Sequence, residues 1–369
     1  MKMTFRWFGE SQDPIPLRYI KQIPGVTGVV TSLLDIPAGE AWPESRIRHM
    51  TEQIAAAGLE VEVIESVNIH EDIKLGLAAR DEKIESYILT MERLAKYGIK
   101  CICYNMMPVI DWARSDLYYD LPDGSNTMRY EAAFVDSITP EELAARYAKD
   151  SQTYEMPGWE PERMKKIREA LAAYEGMSEA AFYANMKYFL DAIIPHAERL
   201  DIKMAVHPDD PPRPIFGLPK LIISRENIRK YLALHPSKHN GLTLCTGSLG
   251  AKKGADIPAI IREFGELIHF AHVRNLKFEN DTDFYESAHL TSLGSLDMYE
   301  IMKALSDIGF SGWVRPDHGR MIWDEATRKG RPGYGLYDRA LGAAYLLGLW
   351  EGLRPFSPND FSGNIVPKP

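Results

Sequence analysis

Short runs of β-branched and other apolar residues alternate along the chain with segments whose apolar residues recur at spacings of three and four. The runs predict eight strands, at residues 3–8, 26–34, 59–66, 100–107, 202–208, 242–247, 267–275 and 312–318. The other segments predict helices at residues 17–23, 44–57, 80–97, 179–200, 226–234, 256–264, 296–308 and 337–353. Strict alternation favours parallel strands joined by crossover helices, and eight repeats close a (β/α)8 TIM barrel.

An open, doubly wound sheet is the alternative arrangement for the same alternation of elements. It usually carries a glycine-rich phosphate-binding loop after a strand. The glycine-rich stretch at residues 247–254, GSLGAKKG, matches neither the dinucleotide-binding pattern nor the P-loop pattern. We therefore interpret this stretch as a strand-to-helix turn and expect one barrel domain over residues 1–369.

Residues 111–177 interrupt the repeat, because they separate the fourth strand from its helix by far more than an ordinary loop. The segment begins with aromatic and turn-forming residues and then shows helical patterns at 140–149 and 160–174. We predict a helical insertion after the fourth strand, on the carboxyl-terminal face where barrel enzymes build their active sites. The sequence leaves open whether this segment is a lid, a subunit contact or a structural elaboration. The Pro- and Asn-rich residues 354–369 predict an extended tail.

Composition and charge narrow the classes of function. With 45% hydrophobic and 26% charged residues the composition is that of a globular protein. The net charge of −9 is spread along the chain and disfavours nucleic-acid and anionic membrane partners. No apolar run is long enough to span a bilayer, and the start of the chain lacks a signal-peptide pattern, so we expect a cytoplasmic protein. Three cysteines do not form a disulfide framework.

The last four predicted strands each carry a metal-type ligand near the carboxyl end: His207, Cys245, His272 and Asp317. A single buried His or Cys is more often a core residue than a ligand. Four of them at equivalent heights on consecutive strands indicate a shared divalent metal ion. Because the ligands lie tens of residues apart, unlike those of structural zinc modules, they meet only when the barrel closes, as in catalytic sites.

Strand alternation supports this interpretation. If the four ligands point into the barrel, Ala205 and Phe270 do so as well, and Met204, Leu244 and Ala271 lie on the apolar outer face. Cys101 and Cys103 on the fourth strand lie too low to reach the mouth, and we predict that they fill the core.

Several long motifs carry a family resemblance. They are MKMTFRWFG, CYNMMPVIDW, HPDDPP, LTLCTGSLG, HVRN, VRPDHGR and RPGYGLYDRALG, and together they span almost the whole chain. With these motifs the chain resembles the D-mannonate dehydratases, which belong to the barrel group that includes xylose isomerase. The resemblance implies removal of water from D-mannonate to give 2-keto-3-deoxy-D-gluconate, a step of hexuronate breakdown, with Mn²⁺ or another divalent ion such as Fe²⁺.

The resemblance also implies roles for individual residues. The family's metal ligands match His207, Cys245, His272 and Asp317, and its catalytic pair matches His318 and Tyr334, with Tyr337 as the alternative phenol. In a regular strand His318 would face away from Asp317, so it must lie in the turn beyond the strand end to reach the site. Five residues are candidates for holding the substrate carboxylate and hydroxyls: Arg6, Asn105, Arg274, Asn275 and Arg320. Each of them could instead form an ordinary salt bridge or hydrogen bond. We expect a sugar acid as the partner molecule and a homo-oligomer, a dimer.

Two other functions fit the same barrel. A sugar isomerase or epimerase would also hold a divalent ion at the mouth, but such sites usually rely on several carboxylates, whereas here a cysteine and a single aspartate are predicted. A barrel with a purely structural metal is the non-enzymatic alternative. Thiolate and imidazole ligands favour softer ions, but the ligands alone do not decide which ion is native.

Overall fold

The described part of the chain contains twelve strands, most of which form the barrel. The computed structural model describes residues 1–151, 167–328 and 330–353. Its strands are β1 (Lys2–Arg6), β2 (Val26–Thr31), β3 (Glu60–Glu65), β4 (Cys101–Tyr104), β5 (Asp116–Asp120), β6 (Asn126–Tyr130), β7 (Lys203–Val206), β8 (Asn240–Cys245), β9 (Ile268–Val273), β10 (Asn275–Phe278), β11 (Phe284–Ser287) and β12 (Trp313–Pro316). Eight of them form a closed parallel barrel in the order β1-β12-β9-β8-β7-β4-β3-β2. The predicted (β/α)8 barrel is thereby confirmed.

Helices follow the barrel strands where the sequence predicts them. They cover Leu17–Ile20, Glu44–Ala56, Glu71–Leu75, Arg80–Lys96, Ala132–Ser137, Pro140–Ser151, Ile167–Ala173, Glu179–Leu200, Arg225–Leu232, Thr246–Gly250, Ile257–Phe264, Met298–Asp307 and Tyr337–Gly352. Several start at a side-chain cap: Ser178, Ser224, Asp256 and Asp297 each accept a hydrogen bond from a backbone N–H of the first turn. Such caps satisfy donors that the helix leaves unpaired.

Side chains of the barrel strands separate into two layers. An inner cluster includes Ala205 and Phe270 together with both cysteines of β4, Cys101 and Cys103. The outward side chains, among them Met204, Leu244 and Ala271, pack into the larger core beneath the helices. The predicted inward and outward faces are therefore confirmed, and both cysteines pack in the inner cluster.

Several predicted strands extend too far at their carboxyl ends. The eighth was expected to reach residue 318, but β12 ends at Pro316, and the seventh was expected to reach residue 275, but β9 ends at Val273. The apolar pattern continues past the true ends because the loops at this face are buried as well. Asp317 and His318 thus lie in the turn beyond β12, as His318 requires to reach the site.

A four-stranded antiparallel sheet, in the order β10-β11-β6-β5, was not predicted. We call it the mouth sheet. One hairpin, β5–β6, belongs to the insertion, and the other, β10–β11, belongs to the loop after β9; β6 pairs with β11. The turn between β5 and β6 closes through Leu121 N–H donating to the Ser125 carbonyl at 2.8 Å. The insertion is therefore part sheet and part helix rather than helical throughout.

The remaining predictions fall partly outside the described residues. The helical pattern at 140–149 corresponds to the helix Pro140–Ser151, whereas the pattern at 160–174 is described only from residue 167, as Ile167–Ala173. The predicted tail at 354–369 lies outside the described residues. Within the described part of the chain, no helix combines the length and the apolar character needed to cross a membrane.

Candidate active site

A cavity of about 960 Å³, including its open mouth, lies at the carboxyl ends of the barrel strands. Seven of the predicted site residues line it: Arg6, Asn105, His207, Arg274, Asp317, His318 and Tyr334. The insertion contributes Asp111, Trp112 and Met128 to its wall. The cavity therefore joins the barrel mouth to the first part of the insertion.

The four predicted metal ligands come together at this cavity, and two of them, His207 and Asp317, line it. The ligand atoms of His207, Cys245 and His272 all lie within 4.8 Å of one another. The nitrogens His207 Nε2 and His272 Nδ1 are 3.1 Å apart, and Cys245 Sγ is 3.6 Å from Asp317 Oδ2. Residues far apart in the sequence thus converge on one small volume, as the strand-end rule predicts.

The neighbours of the two histidines indicate which ring nitrogens carry protons. His207 Nδ1 lies 2.7 Å from the Pro208 carbonyl oxygen, an acceptor, and His272 Nε2 lies 3.2 Å from Glu65 Oε2. Both acceptors favour a proton on the nitrogen that they face, which leaves lone pairs on His207 Nε2 and His272 Nδ1. Two lone pairs that face each other at 3.1 Å repel; Arg315 Nη2, 3.3 Å from His272 Nδ1, supplies positive charge at this point, and a bound cation would supply more. This arrangement fits a metal ion.

Hydrogen bonds and ion pairs hold the other two predicted ligands, Cys245 and Asp317, in place. Cys245 Sγ accepts from Ser248 Oγ at 3.0 Å and from the Ser248 N–H at 3.4 Å, and it donates to Asp317 Oδ2 at 3.6 Å. Burial raises the pKa of Asp317, but the Arg315 guanidinium, 2.6 Å away, outweighs burial and holds this pKa well below its usual range. Two imidazoles, a thiol and a carboxylate suit a divalent transition-metal ion.

His318 and Tyr334 form a direct contact in the cavity wall. His318 Nε2 lies 3.0 Å from the Tyr334 hydroxyl, and the Tyr334 ring packs edge-on against Phe8 with 4.8 Å between ring centroids. Burial lowers the pKa of His318 and raises the pKa of Tyr334 to about 12, so both are neutral at neutral pH. Tyr337, the alternative phenol, packs against Trp323 and does not line the cavity.

A buried network of four charged side chains lies at and behind the cavity wall, and the sequence indicated only one of them, Arg274. Arg114 forms two 2.9 Å hydrogen bonds to Asp210 and a 2.7 Å hydrogen bond to Glu286. Arg274 donates to Asp210 at 2.7 Å and lies 3.1 Å from Glu286. The two guanidiniums balance the two carboxylates, which is the condition for burying such charges.

The predicted substrate-holding residues divide into two groups. Arg6, Asn105 and Arg274 line the cavity, and Arg6 Nη1 is buried without a hydrogen-bond partner. Asn275 and Arg320 do not line it. The Asn275 amide bonds to the backbone of Leu276, Leu290 and Leu296, and Arg320 pairs with Asp123 and Asp338. Because their polar groups are engaged elsewhere, we omit both from the proposed site.

Sequence reasoning missed other residues of the site. Glu65 ends β3 and lines the cavity, so the rule that found the four ligands would have found it too. Cys103 also lines the cavity, which corrects the expectation that it lies too low. Asp210 and Glu286 carried no comparable signal, because Asp210 follows a strand by several residues and Glu286 lies on an unpredicted strand.

Comparisons with known proteins identify the family of the chain. A family model described as D-mannonate dehydratase (UxuA) matches residues 1–358. The chain belongs to this family. A mannonate dehydratase from Thermotoga neapolitana is 54% identical over 355 residues, which cover 96% of this chain and 98% of that protein. The crystal structure of mannonate dehydratase from Streptococcus suis matches with a TM-score of 0.85 and 41% identity, covering 98% of this chain and 96% of the other.

Sugar epimerases with a similar fold are more distant. A D-psicose 3-epimerase matches with a TM-score of 0.53 and 12% identity, covering 96% of this chain and 99% of the other. A likeness at this level concerns the fold alone. The isomerase or epimerase alternative is therefore not favoured.

Proposed function

We propose that this chain is a hydro-lyase that converts D-mannonate to 2-keto-3-deoxy-D-gluconate and water. Family membership supports the reaction. The observation that supports the assignment of the site is the 3.0 Å contact between His318 and Tyr334 in the cavity wall, beside the cluster of His207, Cys245 and His272 and the adjacent Asp317. Two groups able to transfer protons thus lie next to the proposed metal-binding site.

The reaction requires the transfer of one proton in each direction. The C–H bond next to the carboxylate breaks and its proton goes to a base, while the C–O bond on the neighbouring carbon breaks and the hydroxyl leaves as water with a proton from an acid. The enol that results becomes the 2-keto acid by moving a proton to carbon. We assign these transfers to His318 and Tyr334 as a pair, because general acid–base groups must lie within hydrogen-bond reach of the reacting atoms.

Residues His207, Cys245, His272 and Asp317 would hold the divalent ion, for which we propose Mn²⁺, with Fe²⁺ or another divalent ion as the alternative. Such an ion acts as a Lewis acid that stabilises the negative charge developing next to the carboxylate. The remaining stabilisation comes from the protein. Arg6, with its buried unpartnered Nη1, is proposed to bind the substrate carboxylate.

Two further residues of the wall contact the substrate in this proposal. Asn105 lines the cavity just beyond β4, where an amide can bind a sugar hydroxyl. Arg274 is held by Asp210 and Glu286, so it presents a fixed positive group at the cavity rather than a freely moving one.

We also propose that the start of the insertion acts as a lid, since Asp111, Trp112 and Met128 line the cavity. A lid that excludes water protects reactive intermediates and strengthens electrostatic interactions in the site. The protein is proposed to act in the cytoplasm as a homodimer on a small sugar acid.

Incubation of the purified protein with D-mannonate and Mn²⁺ tests the function, with free aldoses and ketoses as parallel substrates. Formation of a 2-keto acid from mannonate, detected by semicarbazide or thiobarbiturate chemistry, is the expected result. Conversion between aldoses and ketoses without a keto acid from mannonate would contradict the proposal.

A further inference from the structure

Glu286 approaches the catalytic histidine from the side opposite Tyr334. Its Oε1 lies 3.1 Å from His318 Nδ1, whereas the Tyr334 hydroxyl lies 3.0 Å from Nε2. Glu286 is fully buried and does not line the cavity. It therefore contacts His318 without contacting the substrate.

The same carboxylate oxygen is surrounded by donors. Arg114 Nη2 donates to Glu286 Oε1 at 2.7 Å, and Arg274 Nη1, which also contacts His318 Nδ1, lies 3.1 Å from it. Burial by itself raises the pKa of Glu286, but the Arg274 and Arg114 guanidiniums outweigh burial and hold this pKa at about 2. Glu286 is thus ionised, and its Oε1 contacts both guanidiniums and the imidazole.

The ionised Glu286 carboxylate beside Nδ1 favours a proton on that nitrogen, whereas Arg274 Nη1, which contacts the same nitrogen more closely, favours a lone pair there. With the proton on Nδ1, Glu286 accepts it, and the lone pair of Nε2 faces the Tyr334 hydroxyl. Without the carboxylate, Arg274 is the remaining neighbour of Nδ1. Because a guanidinium only donates, it draws the lone pair to Nδ1 and the proton to Nε2.

The mouth sheet fixes the position of this carboxylate. Glu286 lies on β11, and Thr127 Oγ1 of β6 donates to its backbone carbonyl at 2.7 Å. Arg114, at the start of the insertion, holds the carboxylate itself. Two loops that are distant in the sequence thus combine to place one oxygen against His318.

We infer that Glu286 is a positioning residue, which holds His318 in the ring orientation and tautomer that the dehydration requires, through the mouth sheet. This inference rests on the proposed function. It adds to the site a residue that acts on the reaction only through His318.

The test compares Glu286→Gln and Glu286→Asp with the wild-type enzyme, each loaded with Mn²⁺. Gln removes the charge at constant size. Asp keeps the charge for Arg114 and Arg274 but draws the carboxylate back by one methylene. We expect kcat to fall on the order of 10- to 100-fold in both variants, as for other residues that orient a functional histidine, with KM, metal content and the unfolding midpoint nearly unchanged.

Glu62→Gln is the matched control. Glu62 is also a buried glutamate of a strand; it accepts from Trp313 Nε1 at 2.6 Å and pairs with Lys2, at the opposite end of the barrel. We expect wild-type kcat and KM from this variant.

Three results would overturn the inference. The first is a wild-type kcat in both Glu286 variants. The second is a rise in KM or a loss of metal that accounts for the lower rate. The third is failure of both variants to fold, which would assign Glu286 to stability alone. Absence of keto acid from the wild-type enzyme in the same assay would instead overturn the proposed function.

Discussion

Replacement of Tyr334 by Phe removes one oxygen atom and leaves the rest of the side chain in place. The hydroxyl lies 3.0 Å from His318 Nε2, and the ring packs against Phe8 and beneath the Arg315 and Arg339 guanidiniums. Phe keeps all of these ring contacts. The variant therefore isolates the hydroxyl from the packing of the ring.

We expect Tyr334→Phe to change the free energy of unfolding only slightly and to lower kcat strongly. The loss of one buried hydrogen bond costs about 1 kcal/mol of unfolding free energy, a small part of the stability of a domain. Loss of a group that transfers a proton lowers kcat by about 10²–10⁴-fold, which corresponds to about 3–5 kcal/mol in the activation free energy. The effect on the transition state thus exceeds the effect on the fold several-fold.

The assay measures keto acid formation from D-mannonate at saturating substrate, together with thermal unfolding and metal content. Tyr337→Phe is the control, because Tyr337 lies three residues further on, packs against Trp323 and does not line the cavity. A Tyr334→Phe enzyme with near-normal kcat and bound metal would refute the reasoning and make Tyr334 a packing residue.

Three further predictions concern the metal and the substrate carboxylate. His207→Ala and Cys245→Ala should each abolish activity and metal content without unfolding the protein, and full metal occupancy in a folded variant, by elemental analysis, would remove that residue from the ligand set. Chelation of the wild-type enzyme should abolish activity and leave the far-ultraviolet circular dichroism unchanged; unfolding on chelation would indicate a structural metal instead. Arg6→Met should raise KM for D-mannonate by about 10- to 100-fold, the equivalent of a charged hydrogen bond of about 1.5–3 kcal/mol, and an unchanged KM would separate Arg6 from the carboxylate.

The barrel could be predicted because its signals are local and repeated. Each barrel strand is a short apolar run followed by a helical pattern, and the alternation sets which side chains face inward. The mouth sheet gave a weaker signal. The stretch DLYYD, LPDGS and NTMRY has the form of a hairpin with a Pro-Asp-Gly turn, but its pairing with residues 284–287 depends on contacts between distant loops.

The site residues also divide into those with a local sequence signal and those that depend on contacts between distant loops. His207, Cys245, His272 and Asp317 could be predicted together because parallel strands bring their carboxyl ends to one face. Glu286 could not, since its position against His318 depends on the pairing of β11 with β6. Asn275 and Arg320 lie in sequence next to predicted site residues, but the Asn275 side chain bonds to backbone groups and Arg320 pairs with the carboxylates of Asp123 and Asp338.

The mouth sheet also bears on how this barrel can be modified. In most barrels each loop at the active face can be exchanged separately, because each is anchored only at its own strand. Here β6 and β11 share hydrogen bonds, and Arg114 of one loop holds Glu286 of the other. The loops after β4 and β9 therefore form a single module, and a graft intended to change the substrate range must transplant both loops together.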